Sequence, residues 1–255
     1  MSAAKNTRPR TGFVNSSRVH LAQYMREFAK ATKRDMRVLD AGAGRGPYKH
    51  LFKHARYEAA DFAQLSTKYT PLDYVCDLTA IPVEDDRFDR IVFNQVLEHV
   101  PEPALVIAEL YRVLKPGGQI FCSCPLYFPE HQVPYDYFRY TQYGLRLLFE
   151  KAGFRVVRLE WLEGYFGTVG FQFREMNRLL PTRARPLATG WRALYLQALL
   201  TGTRTLSKLL AGAFSRADIR WRYTRKGMPK NYVVIAKKPA TASFILQQPD
   251  DLPGS

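Results

Sequence analysis

Residues 38–46 read VLDAGAGRG, and the way this stretch is understood decides the fold. Val38 and Leu39 end an apolar run, Asp40 follows, and Gly42, Gly44 and Gly46 then occupy alternate positions. Residues without a Cβ let the backbone take positive φ and come close to a ligand. The pattern D-x-G-x-G-x-G departs from the dinucleotide fingerprint G-x-G-x-x-G, because its third glycine comes one residue early, and no G-x-x-x-x-G-K-[ST] follows. Asp61 lies about one βα unit downstream, at the end of the next strand-like run, where a carboxylate can accept from ribose hydroxyls. Asp77 ends the third such run and is set to accept from an exocyclic amine. These groups describe a ligand with an adenosine-like half, a cationic or polar half near Asp40, and no pyrophosphate.

Working outward, the strand at 36–41 is followed by strands expected at 57–61, 73–77, 88–94, 118–125, 155–163 and 231–238. A helix is expected over 16–33, with Ser16 or Ser17 as N-cap. A second carries Leu105, Ile107, Leu110, Val113 and Leu114 on one face and stops at Pro116-Gly117-Gly118. A third runs from an N-cap at Thr141 to a terminator at Gly153. Strands alternating with helices predict a mostly parallel sheet covered on both faces, with ligands bound beyond the carboxyl ends of the strands.

The words VLDAGAGRG, DLTAIPVEDDRFDRIVFNQVLEHVPEP, LYRVLKPGGQIF and HQVPYDYFRYTQYGLRLLFEKAGF, in this order over about residues 35–160, resemble the class I S-adenosylmethionine-dependent methyltransferases, closest to the type 11 group. The resemblance implies a Rossmann-like α/β fold with a seven-stranded mixed sheet of order 3-2-1-4-5-7-6 and strand 7 antiparallel. It implies S-adenosylmethionine as cofactor, with the backbone at Gly42 and Gly44 against the methionine part and Asp61 on the ribose. Asp77 and Leu78 would bracket the adenine, Asn94 and Gln95 would line the cofactor at the end of strand 4, and Asp40 would order the glycine loop or meet the ammonium through water.

Methyl transfer from a sulfonium is an in-line displacement, so the protein mainly has to hold the nucleophile on line with the C–S bond. A base matters where the acceptor must lose a proton. Candidates are Glu98 and His99 in LEHV, and His131, Tyr135, Asp136, Arg139 and Tyr140 in HQVPYDYFRYT. His131 or Asp136 is the favoured base, with His99 as a further candidate; Tyr135, Arg139 and Tyr140 would orient the acceptor. Tyr48, with Asn15 and Arg18, is a candidate lid. Family members that hold a divalent metal at a similar LEHV use a glutamate three residues before Glu98; Gln95 stands there, so no metal is expected.

The net charge of +15 is uneven. From Gln172 to Lys230 there are thirteen Lys or Arg against Glu175 and Asp218. The minimal fold needs only a short link between strands 6 and 7, so residues 165–230 read as a helical basic insertion. Within it Trp191, Leu199, Leu206, Leu209 and Leu210 share a broad apolar arc opposite Gln197, Arg204, Lys208 and Ser215. Such a helix suits an anionic membrane interface, or packing on its own domain or a second copy. Nucleic acid is the weaker reading, since no recognisable module accompanies the charge.

The sequence is thus read as a basic arm over 1–15, a methyltransferase domain over 16–238 and a disordered tail over 239–255. No signal peptide or membrane span is apparent, and Cys76, Cys122 and Cys124 lack metal-ligand spacing, so a reducing cytoplasmic location is expected, with peripheral contact at the inner membrane surface. The expected acceptor is a small molecule, free or carried on a glycan or lipid. The alternatives are an RNA methyltransferase and a non-catalytic cofactor-binding scaffold.

Overall fold

The computed structural model describes residues 13–64 and 68–240. The expected arm and tail lie, except for residues 13–15 and 239–240, outside the described residues. β1 (Arg37–Ala41), β2 (Arg56–Asp61), β3 (Tyr74–Val75), β4 (Phe88–Asn94) and β5 (Leu114–Pro125) run parallel to one another. β7 (Asn231–Lys237) lies antiparallel between β5 and β6 (Arg155–Trp161), which gives the expected order 3-2-1-4-5-7-6.

Alternation along the central strands divides the core. Leu39 and Ala41 of β1, Ile91 and Phe93 of β4, and Ile120, Cys122 and Cys124 of β5 face one side. There they meet Val106, Ile107, Leu110 and Val113 of α2 (Pro103–Val113) and Leu145 and Phe149 of α3 (Gln142–Lys151). Val38, Val92, Phe121 and Val233 face the other, under Leu21, Tyr24, Met25 and Phe28 of α1 (Ser16–Lys30). Burying each such side chain contributes about 1.5–3 kcal/mol, so the two-sided core fixes the sheet and with it the loops at its carboxyl edge.

The structure corrects several local expectations. Ser16 and Ser17 are buried inside α1, and Asn15 occupies the N-cap without a side-chain bond. Leu105 is exposed, because the buried stripe of α2 runs through Val106 instead. β5 starts at Leu114, which pairs with Phe88 before the register shifts, so Pro116-Gly117-Gly118 forms part of a bulged strand. Thr141 does cap α3, its hydroxyl accepting from Gly144 N at 3.1 Å.

Between β6 and β7 stand α4 (Tyr165–Leu179) and α5 (Gly190–Trp221). They form an antiparallel hairpin in which Gly170 lies against Ala211 and Ser215, and Asn177 donates to Arg204 O.

Candidate active site

The loop after β1 is tied down by its own backbone. Gly42 N and Ala43 N both donate to Ala60 O, at 2.8 and 3.1 Å, which fastens the turn to the end of β2. Gly42 has φ +74°, and a Cβ there would stand 2.4 Å from a Val96 methyl carbon, so only glycine fits. Gly44, at φ +50°, has open space on the side where a Cβ would be. Gly46 stands behind the loop against Thr70.

Asp61 is buried and accepts from Gly44 N at 2.9 Å and Ala63 N at 3.2 Å, one bond to each oxygen. A carboxylate offers about four acceptor positions, so capacity for two hydroxyl donors is left. Asp40 accepts from the Tyr57 hydroxyl, yet burial still raises its pKa to about 6. Asp77 Oδ1 accepts from Thr79 N and Thr79 Oγ1, both at 2.8 Å. At the end of β4, Ser123 Oγ donates to Asn94 Oδ1 at 2.7 Å and accepts from Gln95 Nε2 at 3.1 Å.

A cleft of about 930 Å³ opens at this edge of the sheet. It brings together Asp40, Gly42, Gly44, Asp61, Asp77, Leu78, Asn94 and Gln95, with Tyr48 at the rim; Gly46 is not in its wall. The cleft is also lined by His99, Gln132, Tyr135 and Tyr137, whereas His131, Asp136, Arg139 and Tyr140 lie outside the lining.

Asp136 takes both Arg139 guanidinium nitrogens, at 2.7 and 2.8 Å, and His131 N at 2.7 Å. The Arg139 pairing holds its carboxyl far below the usual carboxylate range. So engaged, Asp136 is a loop clasp and a poor proton acceptor. Arg139 also donates to Phe128 O and Pro129 O, and the buried Tyr140 donates to Leu97 O at 3.1 Å. Both hold the segment in place from behind.

His99 presents its ring to the cleft, but its nitrogens are directed elsewhere. Nδ1 lies 2.5 Å from Tyr135 O, and the buried Nε2 lies 3.7 Å from Glu98 Oε1. Burial lowers its pKa. Glu98 is fully buried, neither carboxylate oxygen has a hydrogen-bond partner, and burial pushes its pKa up to about 8. Glu98, His99 and His131 have ligating atoms within 4.8 Å of one another, a donor set that could take a divalent cation although Gln95 replaces the glutamate expected of such a site.

Sequence reasoning missed Gln132, Tyr137 and Phe62. Phe62 also lines the cleft and meets the Tyr135 ring edge-on at 5.5 Å, linking the end of β2 to the loop that carries Tyr135. Its position next to Asp61 was the available signal.

Residues 16–159 match the methyltransferase domain family. The chain belongs to this family. It is 31% identical over 126 residues to a ubiquinone/menaquinone biosynthesis C-methyltransferase of Desulfotalea psychrophila, covering 44% of this chain and 50% of that one. It is 33% identical over 123 residues to a demethylmenaquinone methyltransferase of Renibacterium salmoninarum, covering 44% and 49%. The chain thus matches about half the length of these curated relatives. Among solved structures, phosphoethanolamine N-methyltransferase 2 of Haemonchus contortus in complex with S-adenosyl-L-methionine superposes with a TM-score of 0.53 at 17% identity, over 87% of this chain and 52% of that one; the likeness is one of fold. S-adenosylmethionine is the cofactor of the family, and the cleft meets its demands: glycine backbone at the turn, a buried carboxylate at Asp40 for a cation, and unfilled acceptor capacity at Asp61.

Proposed function

We propose that this chain is an S-adenosylmethionine-dependent methyltransferase acting on a small-molecule acceptor, free or carried on a glycan or lipid. The observation that carries this reading is the cleft in which the glycine turn, Asp40, Asp61 and Asp77 converge. When bound, the cofactor supplies a methyl group on a sulfonium that is already a good leaving group.

In this reading Asp61 accepts from the ribose hydroxyls, Asp77 and Leu78 flank the adenine, Asp40 faces the ammonium, and Asn94 and Gln95 line the methionine side. Tyr135 and the His99 ring orient the acceptor, while the Asp136–Arg139 clasp keeps their loop in place. His131 and Asp136 lie outside the cleft wall and the nitrogens of His99 are engaged or buried, so the protein's contribution is alignment more than proton removal. Orientation alone supplies a large part of such a barrier reduction. The names of the two quinone-pathway relatives favour a quinone-type acceptor.

Calorimetry with S-adenosylmethionine tests the cofactor half. Binding by the wild type, weakened about tenfold or more in Asp61→Asn without loss of fold, is the expected result, since hydrogen bonds to a charged group are worth about 1.5–3 kcal/mol. A folded protein that binds no cofactor overturns the reading. Labelled cofactor with fractionated cell extract tests the acceptor half: label in the organic or small-molecule fraction is expected, and label confined to RNA would establish the nucleic-acid alternative.

A further inference from the structure

Helix α5 is built with its polar side turned inward. Leu200, Ser207, Ala211, Ser215 and Asp218 are its buried residues. Beside them, Arg204 donates to Leu180 O at 2.6 Å, and Gln197 accepts from Ala184 N at 2.9 Å and donates to Thr182 O at 3.2 Å. The opposite side carries Trp191, Leu194, Tyr195, Leu199, Leu206 and Leu209, which are 73%, 76%, 67%, 50%, 57% and 66% exposed. At about 100° per residue they fall within roughly 140° of arc, along a helix about 48 Å long. Leu210, expected on this arc, sits half-buried at its edge.

An exposed apolar stripe of this extent needs a partner, and the charge around it selects one. Arg192, Lys208, Arg216 and Arg220 are exposed, whereas the one carboxylate of the helix, Asp218, is fully buried. A second copy laid face to face would set like charges together, and a nucleic acid would leave the leucines in water. Among the described residues no helix is long and apolar enough to cross a membrane. A bilayer surface accommodates both halves: acyl boundary for Trp191, Leu194 and Leu209, and anionic headgroups for the flanking cations. Trp and Tyr suit that boundary because one end of each ring system is apolar and the other polar.

We propose that α5 docks the protein on anionic phospholipid, lying in the plane of the interface with the Trp191–Leu209 stripe buried. This goes beyond the assigned chemistry, and vesicle binding is measured without any methyl transfer. The full chain is sedimented with vesicles of phosphatidylcholine, with and without phosphatidylglycerol, at low and high salt. Retention on the anionic vesicles alone, weakened by salt, is expected. The double variant Leu194→Ser/Leu209→Ser should reduce retention about tenfold or more, as each buried leucine side chain contributes over a factor of ten. Its affinity for S-adenosylmethionine should be unchanged, which shows that it is folded. Tryptophan emission should shift to the blue on anionic vesicles, and Trp191→Phe should reduce that shift, the remainder coming from the exposed Trp221 at the end of α5. The proposal is overturned if anionic vesicles fail to retain the protein, if neutral vesicles retain it equally, or if the double variant binds as the wild type does. It is also overturned if sedimentation velocity shows a dimer that the same two substitutions dissociate, or if RNA binds with the same sensitivity to them.

Discussion

Asp61 and Glu98 are both buried carboxylates at the carboxyl edge of the sheet, and the protein provides for them in opposite ways. Asp61 receives one backbone N–H on each oxygen, from Gly44 and Ala63. Glu98 receives none on either oxygen, and the nearest basic group, His99 Nε2, is 3.7 Å away. Asp61 lines the cleft, whereas Glu98 sits behind its wall. The corner at Asp61 is tied together by backbone bonds of the fold itself. Glu98, behind the cleft wall and out of water, has no such bonds, so its neutral form is the cheaper one.

The largest expected effect tests that preference directly. Burial raises the Glu98 pKa from 4.5 to about 8. Between those values the folded protein keeps a proton that the unfolded chain gives up, so stability falls as pH rises through this window, and the loss is complete above about 8. The shift corresponds to about 5 kcal/mol. Glu98→Gln cannot ionise and should escape the loss. Denaturant unfolding should therefore find the variant close to wild type at pH 5 and more stable by a few kcal/mol at pH 9. Parallel curves for the two proteins would show that Glu98 has a partner that compensates its charge.

The other half of the contrast is sharpened at the glycines. A Cβ on Gly42 would meet Val96 at 2.4 Å and take a φ of +74°, whereas one on Gly44 meets nothing within 4 Å. Gly42→Ala should displace the turn and weaken S-adenosylmethionine binding about a hundredfold, the ~3 kcal/mol expected of overpacking plus left-handed strain. Gly44→Ala should cost little beyond the strain. Equal losses for the two, read by calorimetry, would mean that the turn adapts and the Val96 contact is unimportant.

The glycine turn and the acidic groups beside it were legible in the sequence because that information is local. A glycine every second residue, and strand-like runs ending in Asp61 and Asp77, encode the turn and the acidic groups without reference to distant parts of the chain; of these two runs only the first ends as a strand at its aspartate, β3 stopping at Val75. The rest of the site depends on long-range folding. Tyr137 N and Phe138 N donate to the Glu98 carbonyl oxygen at 2.9 and 3.2 Å, docking a loop some forty residues away on LEHV, and nothing in LEHV announces that neighbour. Asp136 was favoured as a base, and the i,i+3 pairing with Arg139 that its spacing also allows is what the folded loop selects. In α5 the periodicity showed two faces but not which one turns inward; that is decided by α4, where Gly170 admits the small residues Ala211 and Ser215 at close range.

Asp40 should produce the smallest effect and links the two behaviours, being buried like Glu98 and partnered like Asp61. Burial raises its pKa from 3.8 to about 6, and the Tyr57 hydroxyl, donating to it, holds the rise in check. A cationic ligand favours the ionised form, so below pH 6 it must first displace a proton. Affinity for S-adenosylmethionine should then fall about fourfold between pH 7.5 and 5.5 by proton linkage. In Asp40→Asn that dependence should vanish. Tyr57→Phe removes the donor that stabilises the carboxylate, so the midpoint of the fall should move to higher pH. Calorimetric titrations across this range read all three proteins. A flat profile in the wild type would mean that Asp40 only orders the glycine loop and that the charge of the ligand is met elsewhere.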